Sequence, residues 1–207
     1  MAYLLPADYV NYGLPAGTTP DWITAATALI NTFCRRPDLN VVQYQERLRI
    51  VSGVQTVRLS YLPLAPLAPA TSPVVSMQGR YGKPRRGELP EVPLLEAALA
   101  FSLPGEWTAI DPTTVDLATD TGELTLPWNV LGLPYNEVMV TYTAGLTTIA
   151  DDVKCACAQI VRNAQAQPAL NASMSKLDTM QMKYFSSSLV DETVQAWLRP
   201  YVACRLG

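Results

Sequence analysis

Two cysteines one residue apart, Cys155 and Cys157, lie in the stretch VMVTYTAGLTTIADDVKCACAQIVRNAQAQ, Val138 to Gln167. Paired thiolates can hold a metal ion or a redox centre. On a helix, however, residues two apart point roughly 200° away from each other, so this pair cannot chelate one ion. Cys157 falls on an apolar stripe and Cys155 on the opposite face. The same stretch runs strand, glycine, helix, an order that can cradle a phosphate. It has neither GxxxxGK[ST] nor GxGxxG, only the single Gly145, which reads as a positive-φ turn. The chain contains no histidine. Ser-His-Asp triads, Cys-His dyads and His-ligated metals are thereby excluded, while carboxylate, Ser-Lys and carbohydrate chemistry stay open. The expectation is a protein without catalytic residues, metal or cofactor.

Two charged clusters stand out. Asp111, Asp116, Asp120 and Glu123 gather carboxylates, but their spacing does not match an EF-hand; turn chemistry accounts for them, with calcium as an alternative. Arg80, Lys83, Arg85 and Arg86, with Tyr81, form the one basic patch. It is either a contact for phosphate or an acidic partner, or a solvated loop offset by Glu88, Glu91 and Glu96. Trp107 and Trp128, beside the acids, suggest a second class of function: a small β-rich carbohydrate-binding or carbohydrate-active protein.

The composition sets bounds on these readings. The 207 residues suffice for one domain with a sizeable core. A net charge of −3 argues against a dedicated nucleic-acid binder. Charged residues at 16% and 17 prolines point to much turned, extended or covered surface. The opening MAYLLPADYVNYGLP does not read as a signal peptide, and no window reaches the length of a membrane span. Cys34, Cys155, Cys157 and Cys204 lack a disulfide or zinc framework and read as reduced, partly buried thiols of a cytosolic product.

The elements that must position these residues follow from periodicity. Residues 1–18 read as extended. Thr19-Pro20-Asp21 opens a helix whose apolar face is Trp22, Ala25, Ala26, Leu29, Ile30 and Phe33, with Arg35 and Arg36 at its end and Pro37 as the stop. Residues 41–64 read as a hairpin about Ser52-Gly53, and 63–73 as extended or polyproline-like. Val74–Met77 reads as a short strand. Residues 107–144 read as a β-meander, with Thr119–Gly122 as a turn and Val138–Thr143 as a strand. A second helix carries Val153, Ala156, Cys157, Ile160, Val161 and Ala164, opened by a Thr148/Asp151 capping box and closed by Pro168. Residues 176–190 read as extended. A third helix, about Asp191 to Arg199, bears Val194, Trp197 and Leu198, and Pro200 ends or kinks it. The fold class is α+β: a small core of three helices (19–36 and 148–199), a large β-rich insertion (41–144), extended N- and C-terminal segments and a tail, 200–207, in a single domain.

The order of FCRRPDLNVVQYQERLRIVSGVQTVRLSYLPL, WTAIDPTTVDLATDTGELTLP and VMVTYTAGLTTIADDVKCACAQIVRNAQAQP resembles the head–tail connector (adaptor) proteins of tailed bacteriophages. The likeness covers most of residues 19–168, with a weaker echo in WLRPY. The strand V-T-Y-T-A-G followed by a helix opened by acids is its most telling part. One departure is Ala150, where family members often carry proline. The resemblance implies a structural virion protein without catalytic residues, assembled in the host cytoplasm into a dodecameric ring beneath the portal. Such a ring extends the DNA channel, passes DNA without sequence-specific binding and docks the next neck or tail protein. Mildly acidic character suits a conduit, since lumen carboxylates repel DNA. The C-terminal region of such adaptors commonly reaches the portal, which makes Tyr201, Val202, Ala203, Cys204, Arg205 and Leu206 candidate docking residues. The alternative folds Tyr201 and Val202 back onto helix 20–36. Arg80, Lys83, Arg85 and Arg86 are the candidate contacts for DNA or a partner.

Overall fold

The computed structural model describes residues 2–50, 54–81, 105–127, 135–166, 174–177, 180–183 and 189–203. It is an α+β protein; among the described residues it has three helices, α1 (Pro20–Cys34), α2 (Asp151–Ala166) and α3 (Glu192–Leu198), and antiparallel sheets. The chain divides into two compact units. One comprises Met1–Asn40 and Leu146–Ala203; the other contains Val41–Gly145.

The first unit is helical. Pro20 sits in the first turn of α1, where its missing N–H costs nothing, and Arg35 closes the helix in the left-handed region at φ 55°. The buried stripe of α1 is Ile23, Ala26, Thr27, Ile30 and Cys34. This stripe is rotated from the expected one: Trp22 is 42% exposed, and Ile23 takes its place against the core. A stripe begun at position 22 or 23 fits the 3.6-residue period almost equally well, and only the partner helices choose between them. Those partners are Val153, Ala156, Cys157, Ile160 and Val161 of α2, with Val194 and Leu198 of α3. Residues 1–18 are drawn tighter than extended chain. Two 3-10 turns, Pro6–Asp8 and Val10–Tyr12, bring Tyr3, Leu4, Tyr9 and Leu14 into the same core.

Helix starts differ in how they are capped. Thr19 occupies the N-cap of α1 without a side-chain cap bond, whereas the Asp191 carboxylate accepts from the Val194 N–H at 2.8 Å and caps α3. The expected Thr148/Asp151 box is displaced. Lys154 N–H donates to Ala150 C=O, so Ala150 takes the N-cap position, and the Asp152 carboxylate accepts from Val153 N–H. After Leu198 a 3-10 turn, Arg199–Tyr201, carries the chain past Pro200. Two strands of the first unit, β8 (Met174–Leu177) and β9 (Met180–Lys183), pair as an antiparallel hairpin.

The described residues of the second unit include seven strands. β1 (Val42–Arg49), β7 (Glu137–Ala144), β3 (Val74–Arg80) and β4 (Thr108–Ile110) form one sheet in that order. β2 (Thr56–Arg58), β6 (Glu123–Thr125) and β5 (Asp116–Ala118) form another. The expected hairpin of residues 41–64 is therefore not made: β1 pairs with β7, and β2 with β6. Likewise the meander of 107–144 holds only at the β5–β6 hairpin, because β7 inserts between β1 and β3. The reason is burial. Val138, Val140 and Tyr142 of β7 are fully buried, and the backbone N–H and C=O groups of a strand set that deep need a paired strand on each side.

Gly79 illustrates how closely this core is packed. A Cβ there would stand 2.8 Å from the Tyr135 ring and 2.9 Å from Ile110 Cδ1, so only glycine lets Tyr135 lie against the strand. Gly145 ends β7 at φ 142°, a conformation that favours glycine, and its N–H donates to Pro63 C=O.

Candidate functional site

Among the described residues of the second unit, a cluster of charges is centred on Glu137. Its place at the start of β7 puts it opposite Arg80 of β3 and Arg49 of β1, with Arg47 the diagonal neighbour. The Glu137 carboxylate accepts from Arg47 Nη2 at 2.6 Å and from Arg80 Nε at 2.8 Å. Its side chain is 9% exposed and that of Arg80 16%, while that of Arg47 is 56% exposed. Burial opposes the charge on Glu137, but the hydrogen bonds and charges of Arg80 and Arg47 outweigh it and hold the carboxyl below the usual glutamate range. The β3–β4 register runs Gly79 to Thr108, which brings Trp107 across from Arg80. The Arg80 guanidinium lies 4.4 Å from the Trp107 ring centroid and that of Arg47 5.8 Å, so both cations share one indole.

This geometry corrects the reading of Arg80. It is not a loop cation but the last residue of a strand, committed to Glu137 and Trp107. Lys83, Arg85 and Arg86 lie outside the described residues, as does Trp128. The Arg80 guanidinium lies over one face of the Trp107 ring.

The acidic cluster resolves in part into turn chemistry. The Asp111 carboxylate accepts from the Thr113 N–H at 2.9 Å and the Thr113 hydroxyl at 2.8 Å; the N–H bond first, then the hydroxyl, holds its carboxyl below the usual range. Asp116, Asp120 and Glu123 are exposed on and beside β5 and β6. Among the described residues no three Cys, Asp or Glu side chains converge as ligands for a metal ion, and no helix is long and apolar enough to cross a membrane.

In the first unit the acids at the head of α2 hold both ends of the chain. Tyr12 donates to Asp151 Oδ1 at 2.7 Å, and Tyr201 donates to Asp152 at 2.7 and 2.9 Å. Burial, then the bond to Asp152, pushes the Tyr201 hydroxyl up to about 12. Two residues on, Ala203 N–H donates to Cys34 C=O at 2.9 Å, and Ala203 is buried. The segment thus folds back, which is the alternative given above for Tyr201 and Val202. These residues fold back on the helices because Tyr201 reaches Asp152 and Ala203 N–H answers an otherwise unpaired carbonyl at the end of α1. Cys204, Arg205 and Leu206 lie outside the described residues.

Cys157 is buried on the apolar stripe and Cys155 half-buried off it, as helical spacing requires. Burial pushes the Cys157 thiol up to about 12 against a bond with Thr27, and the Cys34 thiol up to about 11 against the nearby charge of Arg36.

The Glu137 cluster escaped the sequence. Its members are separated by 57 and 90 positions, beyond any local spacing rule. The one signal was Glu137 itself, an acid at the head of the apolar alternation of Val138–Thr143. The sequence matches no protein-family model and none of the curated proteins with which it was compared.

Proposed function

We propose that this chain is a structural subunit of a ring-shaped head–tail connector of a tailed bacteriophage, sitting at the virion neck between the portal and the next neck or tail protein. The observation that carries the reading is the interrupted helical unit. Residues 1–40 and 146–203 build one core, and the β unit 41–145 is inserted between them. That arrangement is what the resemblance of the three quoted segments implies. The acid-opened helix after V-T-Y-T-A-G is its central piece, and Asp151 and Asp152 there gather both chain ends. In this reading copies of the chain, twelve by the resemblance, surround a DNA channel that needs no sequence-specific contact and no catalysis. The portal-facing candidates are the residues that leave the fixed point at Ala203, namely Cys204, Arg205 and Leu206. Tyr201, Val202 and Ala203 serve as their anchor, and Lys83, Arg85 and Arg86 remain the candidate contacts for DNA or a partner.

Light scattering and negative-stain images of the purified protein, alone and mixed with its portal, test this. A closed ring in either preparation is the expected result. A chain that stays monomeric and never joins the portal refutes it.

A further inference from the structure

Helix α1 carries no charged residue between Asp21 and Arg35. Its inner side is the buried stripe Ile23, Ala26, Thr27, Ile30 and Cys34. Beside that stripe, at i, i+3, i+7 and i+11, stand Trp22, Ala25, Leu29 and Phe33, the first two exposed and the last two half-buried at the edge of the core. Exposed Ala28 and Thr32 continue this second face, and Asp21, in the first turn, is the charge that α1 adds to it. Helix α2, by contrast, turns Asp151, Arg162 and Gln165 to solvent. A helix that is apolar on both sides is one that is covered on both sides.

The second unit presents a surface of the same chemistry. No charged residue occurs from Leu59 to Gly79, and residues 66–72, Pro-Leu-Ala-Pro-Ala-Thr-Ser, are all exposed, Leu67 at 52%. Both ends of this tip are held on one residue of β7. Ala65 N–H donates to Thr143 C=O at 3.3 Å and Thr143 N–H to Pro73 C=O at 2.8 Å, while the Thr143 hydroxyl donates to Ala65 C=O at 2.7 Å. Ala70 N–H closes a turn onto Leu67 C=O at 2.9 Å, and Pro66 and Pro69 fix their own φ. The tip is therefore ordered before it meets anything, so docking it costs little conformational entropy.

We propose that the tip, residues 66–72, of one copy docks on the Trp22–Ala25–Leu29–Phe33 face of α1 in a second copy. This rests on the ring reading above and names its contact. The chemistry is that of proline-rich segments on aromatic-lined surfaces: proline and leucine lie against an indole, and small Ala25 and Ala28 let the backbone of the tip come close. A charged acceptor would lose its water to an uncharged tip and gain no partner, whereas the α1 face has little to lose. The two surfaces differ and belong to different units, so every pair leaves one of each open and further copies add until the ring closes.

The test puts the photocrosslinker benzoylphenylalanine in place of Leu67, in the full chain assembled alone or on the portal from equal parts of isotopically heavy and light protein. Irradiation should join position 67 of one copy to residues 22–33 of another, in heavy–light pairs. Ala70 carries the probe should position 67 block assembly. Leu67→Asp and Ala28→Glu place a charge at an exposed position of each surface. Each should need about tenfold or more protein to assemble, read by native mass spectrometry and sedimentation, with circular dichroism and melting curves like those of wild type. A ring whose crosslinks stay within one chain, reach residues 167–188 or the portal, or do not form overturns the contact and leaves the ring reading standing. So does wild-type assembly by either charged variant. A wild-type chain that assembles neither alone nor on the portal removes the ring reading as well. Should Ala28→Glu melt early, Trp22→Ala replaces it, and wild-type-like assembly by that variant counts against the proposal.

Discussion

Replacing Glu137 by glutamine keeps the shape of the side chain and removes its charge, which isolates what the buried carboxylate contributes. Two bonds are affected. The Arg80 bond, 2.8 Å between side chains 16% and 9% exposed, is charge-assisted and sheltered, so its loss costs about 2–3 kcal/mol. The Arg47 bond is shorter at 2.6 Å, but Arg47 is 56% exposed and solvent screens it, so it adds about 0.5–1 kcal/mol. The second unit should therefore lose about 3 kcal/mol, read from urea unfolding at constant m value. The loss should depend on pH. Glu137 is held below the usual glutamate range in the folded chain, so its contribution is fully present above the unfolded value, about 4.3, and disappears as pH falls through the folded one. Wild type and Glu137→Gln should differ by the full amount at neutral pH and converge in acid. A loss under about 0.5 kcal/mol, or a gap that stays constant into acid, would refute the assignment. So would an Arg80→Gln/Glu137→Gln double mutant whose losses simply add, since coupled partners must not be additive.

Three further outcomes follow from bonds and contacts already described. Tyr201→Phe removes a hydroxyl shared by both oxygens of Asp152 and should cost the helical unit about 1–2 kcal/mol in thermal or urea unfolding. Asp191→Ala should cost about 1 kcal/mol through the lost cap at Val194, whereas Thr19→Ala, with no side-chain cap bond to lose, should stay within about 0.5 kcal/mol; the same unfolding assay ranks the pair. Gly79→Ala forces a methyl against the Tyr135 ring and should cost about 1–3 kcal/mol, and a Gly79→Ala variant as stable as wild type would show that Tyr135 yields freely.

What could be read from the sequence was whatever depends on neighbours along the chain. The apolar stripes of α2 and α3 are spaced by the helical period, and the structure buries Val153, Ala156, Cys157, Ile160, Val161, Val194 and Leu198. Strands announced by alternation, such as Val138–Thr143, are present. The β5–β6 turn is also present, with Gly122 at φ 70°. Partnership was not legible. β1 and β2 alternate as hairpin strands do, yet nothing local tells β1 that its partner is β7, since pairing depends on which faces need covering across the whole unit. The same limit hid the charged site. Arg47, Arg80, Trp107 and Glu137 each look like ordinary surface residues until the register of four strands brings them together. The Trp22 stripe failed for a subtler reason: the period was right and the phase was set by α2 and α3.

The interruption of the helical unit also has consequences in time. Asn40 and Leu146 are bridged, and Leu146 N–H donates to Leu39 C=O at 2.7 Å, so the chain leaves this unit and returns to it at one point. During synthesis α1 emerges early, but Val153, Ile160, Val194 and Leu198, which cover its stripe, emerge last. The intervening segment takes roughly ten seconds to translate. Throughout that interval Ile23, Ala26, Ile30 and Cys34 have no partner helix, while every strand of the β unit is already available. The β unit can thus fold first on the ribosome, and the bare first helix becomes the stretch most in need of a chaperone. Moving residues 1–40 behind residue 203 by circular permutation would synthesise the helical partners consecutively and shorten the exposure, a change visible as less aggregate at equal expression.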